Sequence, residues 1–72
     1  MKRARIIEIG TWDAFYSERE HLLGKTIGVA EILPITPEEW IAGHFILLEN
    51  ASYYKAGDKI TFARVKIEFL KN

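Results

Sequence analysis

The chain has 72 residues, with ten basic and ten acidic side chains that give a net charge of zero at pH 7. The absence of cysteine excludes disulfides and thiolate metal sites, and the neutral charge excludes a general electrostatic attraction to nucleic acid. The longest apolar run, Phe45–Leu48, is far shorter than the roughly 20 residues of a membrane span. We therefore expect residues 1–72 to form a single cytoplasmic domain without a membrane partner.

The first segment, Arg3 to Ile9, is rich in isoleucine and alternates loosely, which predicts a β-strand. On a regular strand Ile7 and Ile9 would share one face with Arg3 and Arg5, and Ile6 would point the other way. A loop that begins after this strand carries several aromatic residues, which we expect to fold back onto the domain.

The motif Ser17-Glu18-Arg19-Glu20 matches a capping box, in which Ser17 accepts from a helical amide and Glu20 reaches back to the cap. Gly24 follows at a position typical of a helix end. This segment therefore predicts a single short helical turn.

Thr26 to Leu33 predicts a second strand, with Ile27 and Val29 on one face. The segment Thr36–Glu39 repeats the capping logic, with proline at the first helical position. It predicts another short helical turn leading into Trp40.

Gly43 to Glu49 is the most hydrophobic strand, and apolar residues on both of its faces predict that both are covered. Asn50 to Tyr54 is a loop or a bulged continuation. Lys55–Asp58 has the composition of a turn.

The C-terminal run contains a break in its two-residue period. Phe62 and Val65 should both face inward, yet they are three positions apart, and an odd step reverses the face of a regular strand. A bulge or a tight turn at Ala63–Arg64 resolves the conflict. We interpret the run as two strands separated by a turn.

These patterns predict an all-β domain, a small five-stranded and partly open barrel with one or two single-turn helices in its loops. The layout resembles that of Src-homology-3-like barrels, and an OB-fold barrel is the alternative. The acidic and aromatic ligand motifs of the signalling domains are missing, so no proline-rich peptide groove is implied.

The segments Lys2–Ile7, Leu23–Thr26 and Ile60–Ile67 also resemble small uncharacterised phage and prophage proteins of Gram-positive bacteria.

No pattern in the sequence indicates catalysis or a cofactor. The two histidines, His21 and His44, lack the spacing of a metal site. Ser17 and Ser52 have no sequence partner that would make either a nucleophile. We therefore expect a non-enzymatic protein without metal or cofactor.

Two sets of residues are candidates for binding. The basic set consists of Arg3, Arg5, Arg64 and Lys66, which would stand on one surface if the first and last strands pair. Such a surface suits phosphates or nucleic acid, although basic residues on edge strands also serve solubility. The aromatic set consists of Trp12, Trp40, Tyr53 and Tyr54, residue types that are enriched at protein contacts.

The function that we favour is a binding module that contacts another protein through the aromatic set. The phage resemblance implies an accessory or host-directed inhibitor protein. The alternatives are a barrel that binds nucleic acid or a nucleotide on its basic strands, and a structural protein that assembles with copies of itself.

Overall fold

Four antiparallel strands close into a barrel in the computed structural model, which describes residues 2–11, 16–29 and 40–71. The strands are β1 (Lys2–Ile9), β2 (Thr26–Val29), β3 (Ile41–Leu47) and β4 (Lys59–Phe69), and they neighbour one another in that order. A short helix, α1 (Tyr16–Arg19), and a 3₁₀ turn (Glu20–Leu22) connect β1 to β2. The all-β class is confirmed, and the barrel is closed rather than partly open.

The interior of the barrel is filled by aliphatic side chains and two phenylalanines. Its largest fully buried residues are Ile6, Leu22, Ile27, Leu47, Phe62 and Val65. Burying a side chain of this size contributes about 1.5–3 kcal/mol. A domain of this length has few such residues, so each one matters to its stability.

The C-terminal run is one strand, so the predicted division into two strands with a turn is wrong. Gly43 pairs with Phe62 and Ile41 pairs with Val65, which means that β4 advances three residues while β3 advances two. The extra residue is absorbed by a bulge at 63–64, and both Phe62 and Val65 remain buried. A bulge changes the face of the strand without reversing its direction, which explains why the described residues form four strands instead of five.

A second bulge interrupts β1 and separates Ile9 from Ile7, with which it was predicted to share a face. Ile6 pairs with Ile67 and Glu8 pairs with Lys66, so β1 advances two residues against one on β4. Ile6 and Ile9 are consequently buried, whereas Ile7 is 44% exposed. Ile7 and Ile9 therefore do not share a face, because the bulge shifts the alternation between them.

The predicted helical turn is present, although Ser17 is not its cap. The helix has already begun at Tyr16, which places Ser17 inside its first turn. Leu22 in the 3₁₀ turn is fully buried, and the segment ends at Gly24, whose φ of +81° is readily adopted only by glycine. The Gly24 N–H donates to the Ile6 carbonyl at 2.7 Å, which fixes the segment against β1.

Strands β2 and β3 differ from the prediction in their described bounds, and β3 also differs in how far its outer face is buried. Strand β2 spans Thr26–Val29, and the rest of that predicted strand, like the turn predicted at 36–39, lies outside the described residues. Strand β3 begins at Ile41 and ends at Leu47. Its outer face is not fully covered, since Ile46 is half-buried and Leu48 is 37% exposed.

The connection between β3 and β4 contains the predicted turn at Lys55–Asp58. The Asp58 N–H donates to the Lys55 carbonyl at 3.0 Å, and the Lys55 N–H donates to the Asp58 carboxylate at 2.8 Å. The Asn50 side chain accepts from the Ala56 N–H at 2.9 Å. These local hydrogen bonds hold the whole connection in one conformation.

Glu49 reinforces the junction between β2 and β3. Its carboxylate accepts from the Thr26 N–H at 3.1 Å and lies 3.6 Å from the Lys25 ammonium. The pKa of Glu49 is lowered from 4.5 by hydrogen bonding to Thr26, through its side chain first and then its backbone, and also by Lys25, while burial opposes the shift. A lowered folded pKa means that the carboxylate stabilises the fold above its unfolded pKa, and that this contribution is lost as the pH falls through the folded value.

We expect Glu49→Gln to flatten the dependence of the unfolding free energy on pH as the pH falls from the unfolded pKa of 4.5 through the lower folded pKa. The difference from the unsubstituted protein should stay below about 1 kcal/mol, because the Glu49 side chain is 43% exposed and is screened by solvent. Urea unfolding at several pH values measures it, with Glu20→Gln on the exposed helical segment as the control. An identical pH dependence in the protein and in Glu49→Gln would contradict the assignment.

Candidate functional site

An open groove of about 450 Å³ lies where the two bulges approach each other on β1 and β4. We call it the Trp40 groove. It is lined by Ile7, Glu8, Ile9, Gly10, Thr11, Tyr16, Leu23, Trp40 and Arg64. The Gly10 N–H donates to the Arg64 carbonyl at 3.0 Å, so the backbones of the two bulged strands are joined at the floor of the groove.

The bulges determine which side chains reach this groove. Strict alternation along β1 and β4 would carry Glu8 and Arg64 into the core. Each bulge instead turns the charged side chain to the surface and returns the next apolar residue, Ile9 or Val65, to the interior. Bulges at barrel rims commonly redirect side chains toward binding sites.

Trp40 is held in place by two cations from β4. The Arg64 guanidinium and the Lys66 ammonium each lie 4.7 Å from the centre of its ring system. Lys66 is also 3.6 Å from the Glu8 carboxylate across the β1–β4 pair. Each cation–π contact at an exposed site contributes about 0.5–1 kcal/mol. These two contacts orient the half-buried tryptophan.

Apolar side chains are exposed around the tryptophan. Ile7 is 44% exposed and Leu23 is 40% exposed, and both line the groove. Tyr16 at the start of α1 is half-buried and packs against the core from the same side. A concave site with exposed aliphatic residues, a fixed tryptophan and an arginine has the composition of a protein-binding hot spot.

A second depression, of about 470 Å³, lies on the other side of the helical segment. It is lined by Ser17, Glu18, His21, Tyr53 and Tyr54, and we call it the Tyr53 hollow. The rings of His21 and Tyr53 meet edge to face, with centroids 5.6 Å apart. Tyr53 is 77% exposed, the highest value among the exposed large apolar and aromatic residues of the described part.

The structure separates the predicted aromatic set into these two places. Trp40 belongs to the groove, whereas Tyr53 and Tyr54 belong to the hollow. Trp12 lies outside the described residues. The aromatic residues thus belong to two depressions that share the helical segment as a wall.

The predicted basic set is also divided. Strands β1 and β4 do pair, but their register places Arg5 opposite Glu68, and Glu8 opposite Lys66. Arg3 lies still farther along β1, where its carbonyl accepts from the N–H of residue 70 at 2.9 Å. Arg5 and Lys66 therefore each stand opposite an acidic residue, and the basic set falls into two pairs, Arg3 with Arg5 on β1 and Arg64 with Lys66 on β4.

Only Trp40 and Arg64 of the nine residues lining the groove were predicted as site residues, and the seven that sequence reasoning missed include Ile7, Glu8 and Leu23. A signal for the first two was present, because the apolar residues at 6 and 9 are three positions apart, as Phe62 and Val65 are. The same reasoning that indicates a bulge in β4 would have indicated one in β1. Leu23 has no comparable signal, since adjacent leucines in a short turn do not reveal which one is buried.

Across residues 2–11, 16–29 and 40–71, no three histidine, aspartate or glutamate side chains are grouped as metal ligands. None of the helical segments described is long and apolar enough to cross a membrane. Comparison with protein-family models, curated proteins and solved structures finds no match to this chain. The geometry of the two depressions is therefore the basis for any functional argument.

Proposed function

We propose that the protein is a non-enzymatic binding module that contacts a partner protein through the Trp40 groove. The observation that carries this proposal is the pair of bulges, which turn Glu8 and Arg64 outward beside the exposed side chains of Ile7 and Leu23. Apolar area around a fixed tryptophan supplies affinity, and an arginine at the rim supplies specificity for a polar group of the partner.

Protein is favoured over nucleic acid by the charge pattern of the β1–β4 pair. Lys66 is already paired with Glu8, and Arg5 stands opposite Glu68, so phosphates that approached either cation would meet an acidic group beside it. The Trp40 ring is contacted by two cations of its own chain, which a stacking base would have to displace. The Trp40 ring is therefore not a free stacking platform of the kind that single-stranded nucleic acid uses.

The kind of partner is a further part of the proposal. The resemblance of Lys2–Ile7, Leu23–Thr26 and Ile60–Ile67 to small phage and prophage proteins supports an accessory or host-directed inhibitor role in the cytoplasm. The Src-homology-3-like comparison concerns the layout of a small barrel and implies no ligand. The partner would accordingly be a host protein that presents an apolar side chain to the groove.

The test is capture by the tagged protein from a bacterial lysate, followed by affinity measurement with the purified partner. We expect Trp40→Ala to weaken binding by about 30-fold or more and Arg64→Ala by about tenfold, because such anchors dominate interfaces. Ile7→Ser should also weaken binding without loss of fold, since Ile7 is exposed.

Arg3→Ala is the matched control, because it removes an exposed basic side chain of the same sheet that does not line the groove. Its affinity should stay within about twofold of the unsubstituted protein, as expected for a residue outside the contact. A partner that binds Trp40→Ala and Ile7→Ser as tightly as the unsubstituted protein would refute the proposed site. Concentration-dependent self-association that Ile7→Ser abolishes would show instead that the groove binds a second copy.

A further inference from the structure

The turn that carries Tyr53 presents this side chain in a fixed position. The N–H groups and carbonyls of Ala51 and Tyr54 exchange two hydrogen bonds, of 3.0 and 2.7 Å, which close the turn. Ala51 is buried and anchors one end of it in the core. Ser52 has a φ of +46°, which brings Tyr53 to the apex with 77% of its surface exposed. An aromatic side chain held this way loses little conformational freedom on binding.

The surroundings of Tyr53 favour a positive charge. The one charged group among the described residues lining the hollow is the Glu18 carboxylate, which lies with the rings of Tyr53 and Tyr54. Lysines and arginines of the described part lie over the rings of Trp40, Phe62 and Phe69, and none lies over either tyrosine. Aromatic faces beside a carboxylate attract a cation through both the ring quadrupole and the opposite charge.

We infer that the Tyr53 hollow binds a cationic side chain, arginine or lysine, presented by a segment of a partner protein. Ser17 and His21 add polar groups that suit the N–H donors of such a side chain. The site is distinct from the Trp40 groove and does not depend on it. The helical segment contributes Tyr16 and Leu23 to the groove and a different set of side chains to the hollow.

The probe is a short glycine- and arginine-containing peptide, acetylated and amidated at its ends, titrated into the isotopically labelled full chain and followed by amide NMR shifts. The matched probe carries citrulline in place of arginine, which has nearly the same shape without the charge. We expect saturable shifts at residues 17–21 and 52–54 with the arginine peptide and none with the citrulline peptide.

Tyr53→Ala and Glu18→Gln should each weaken binding about two- to fivefold, the range expected for an exposed cation–π contact or ion pair. Tyr53→Phe should bind like the unsubstituted protein because it keeps the ring face. Glu18 is exposed and Tyr53 lies at the apex of its turn, so circular dichroism should show unchanged folding in all three variants.

Equal shifts with the citrulline peptide, or unchanged affinity in both Tyr53→Ala and Glu18→Gln, would overturn the inference. Shifts confined to the Trp40 groove would do so as well. Trp40→Ala should leave this titration unchanged, so the result is independent of whether the groove binds a protein partner. Failure of either proposal is thereby distinguishable from failure of the other.

Discussion

Phe62→Ala should lower the free energy of unfolding by about 3–5 kcal/mol, the cost of removing a large aromatic side chain from a packed core. Phe62 is 1% exposed, and its ring lies 5.9 Å from that of Phe45 inside the barrel. The Arg19 guanidinium lies 5.2 Å from the same ring and also donates to the Thr61 carbonyl, so the substitution removes one of the contacts between the helix and β4. A domain of this size has only about 3–5 kcal/mol of stability in total, so the variant should be largely unfolded.

Thermal and urea unfolding followed by circular dichroism measure this effect. Tyr53→Ala is the matched control, because it truncates an aromatic ring of similar size that is exposed, and it should change stability by no more than about 0.5 kcal/mol. Phe62→Leu keeps most of the volume and should retain a measurable folded population. A Phe62→Ala protein as stable as Tyr53→Ala would show that Phe62 does not fill the core.

Ile6→Ala should destabilise the protein by about 2–5 kcal/mol, whereas Ile7→Ala should change stability by about 0.5 kcal/mol or less. The two residues are adjacent and identical in type, yet Ile6 is fully buried and Ile7 is 44% exposed. The pair therefore tests the bulge in β1 directly, because a regular strand would place Ile7 on the same face as Ile9.

Equilibrium urea unfolding of both variants supplies the comparison. Ile7→Ala should in addition weaken partner binding, because Ile7 lines the Trp40 groove. If Ile7→Ala lowered the stability more than Ile6→Ala, β1 would have to be a regular strand. Ile7 would then be buried and would not line the Trp40 groove.

The two bulges link the stability of the barrel to its surface chemistry. They keep Ile9 and Val65 in the core while turning Glu8 and Arg64 to the rim of the same groove. A charged residue that followed strict alternation would be buried without a partner, which is costly. The groove thus has charged residues at its rim because the bulges keep the apolar residues of both strands in the core.

Local chemistry was sufficient to predict several elements. Alternating isoleucines indicated the strand at β1, and the composition of Lys55–Asp58 indicated a turn that the structure contains. Gly24 was correctly expected at the end of the helical turn. These features depend on a few neighbouring residues, and for that reason a single sequence reveals them.

The candidate site was predicted only in part. Trp40 and Arg64 were both candidates, but they were assigned to different sets, and Ile7 was predicted to share a face with Ile9, which the structure buries. The step between Phe62 and Val65 required a bulge or a turn, and the sequence offered no way to choose between them. The pairing with β3 shows that the step is a bulge, because Gly43 and Ile41 both pair with residues of one continuous strand.

By itself, the sequence determined that this chain is a small all-β domain with a short helical turn, since strand period, turn composition and glycine position are local properties. The tertiary structure alone decided that the barrel has four described strands, that Arg5 and Lys66 stand opposite acidic residues in the β1–β4 pair, and that Trp40 contacts Arg64 and Lys66. The physical reason is register: a shift of one residue between paired strands changes both the face and the neighbour of every side chain beyond it.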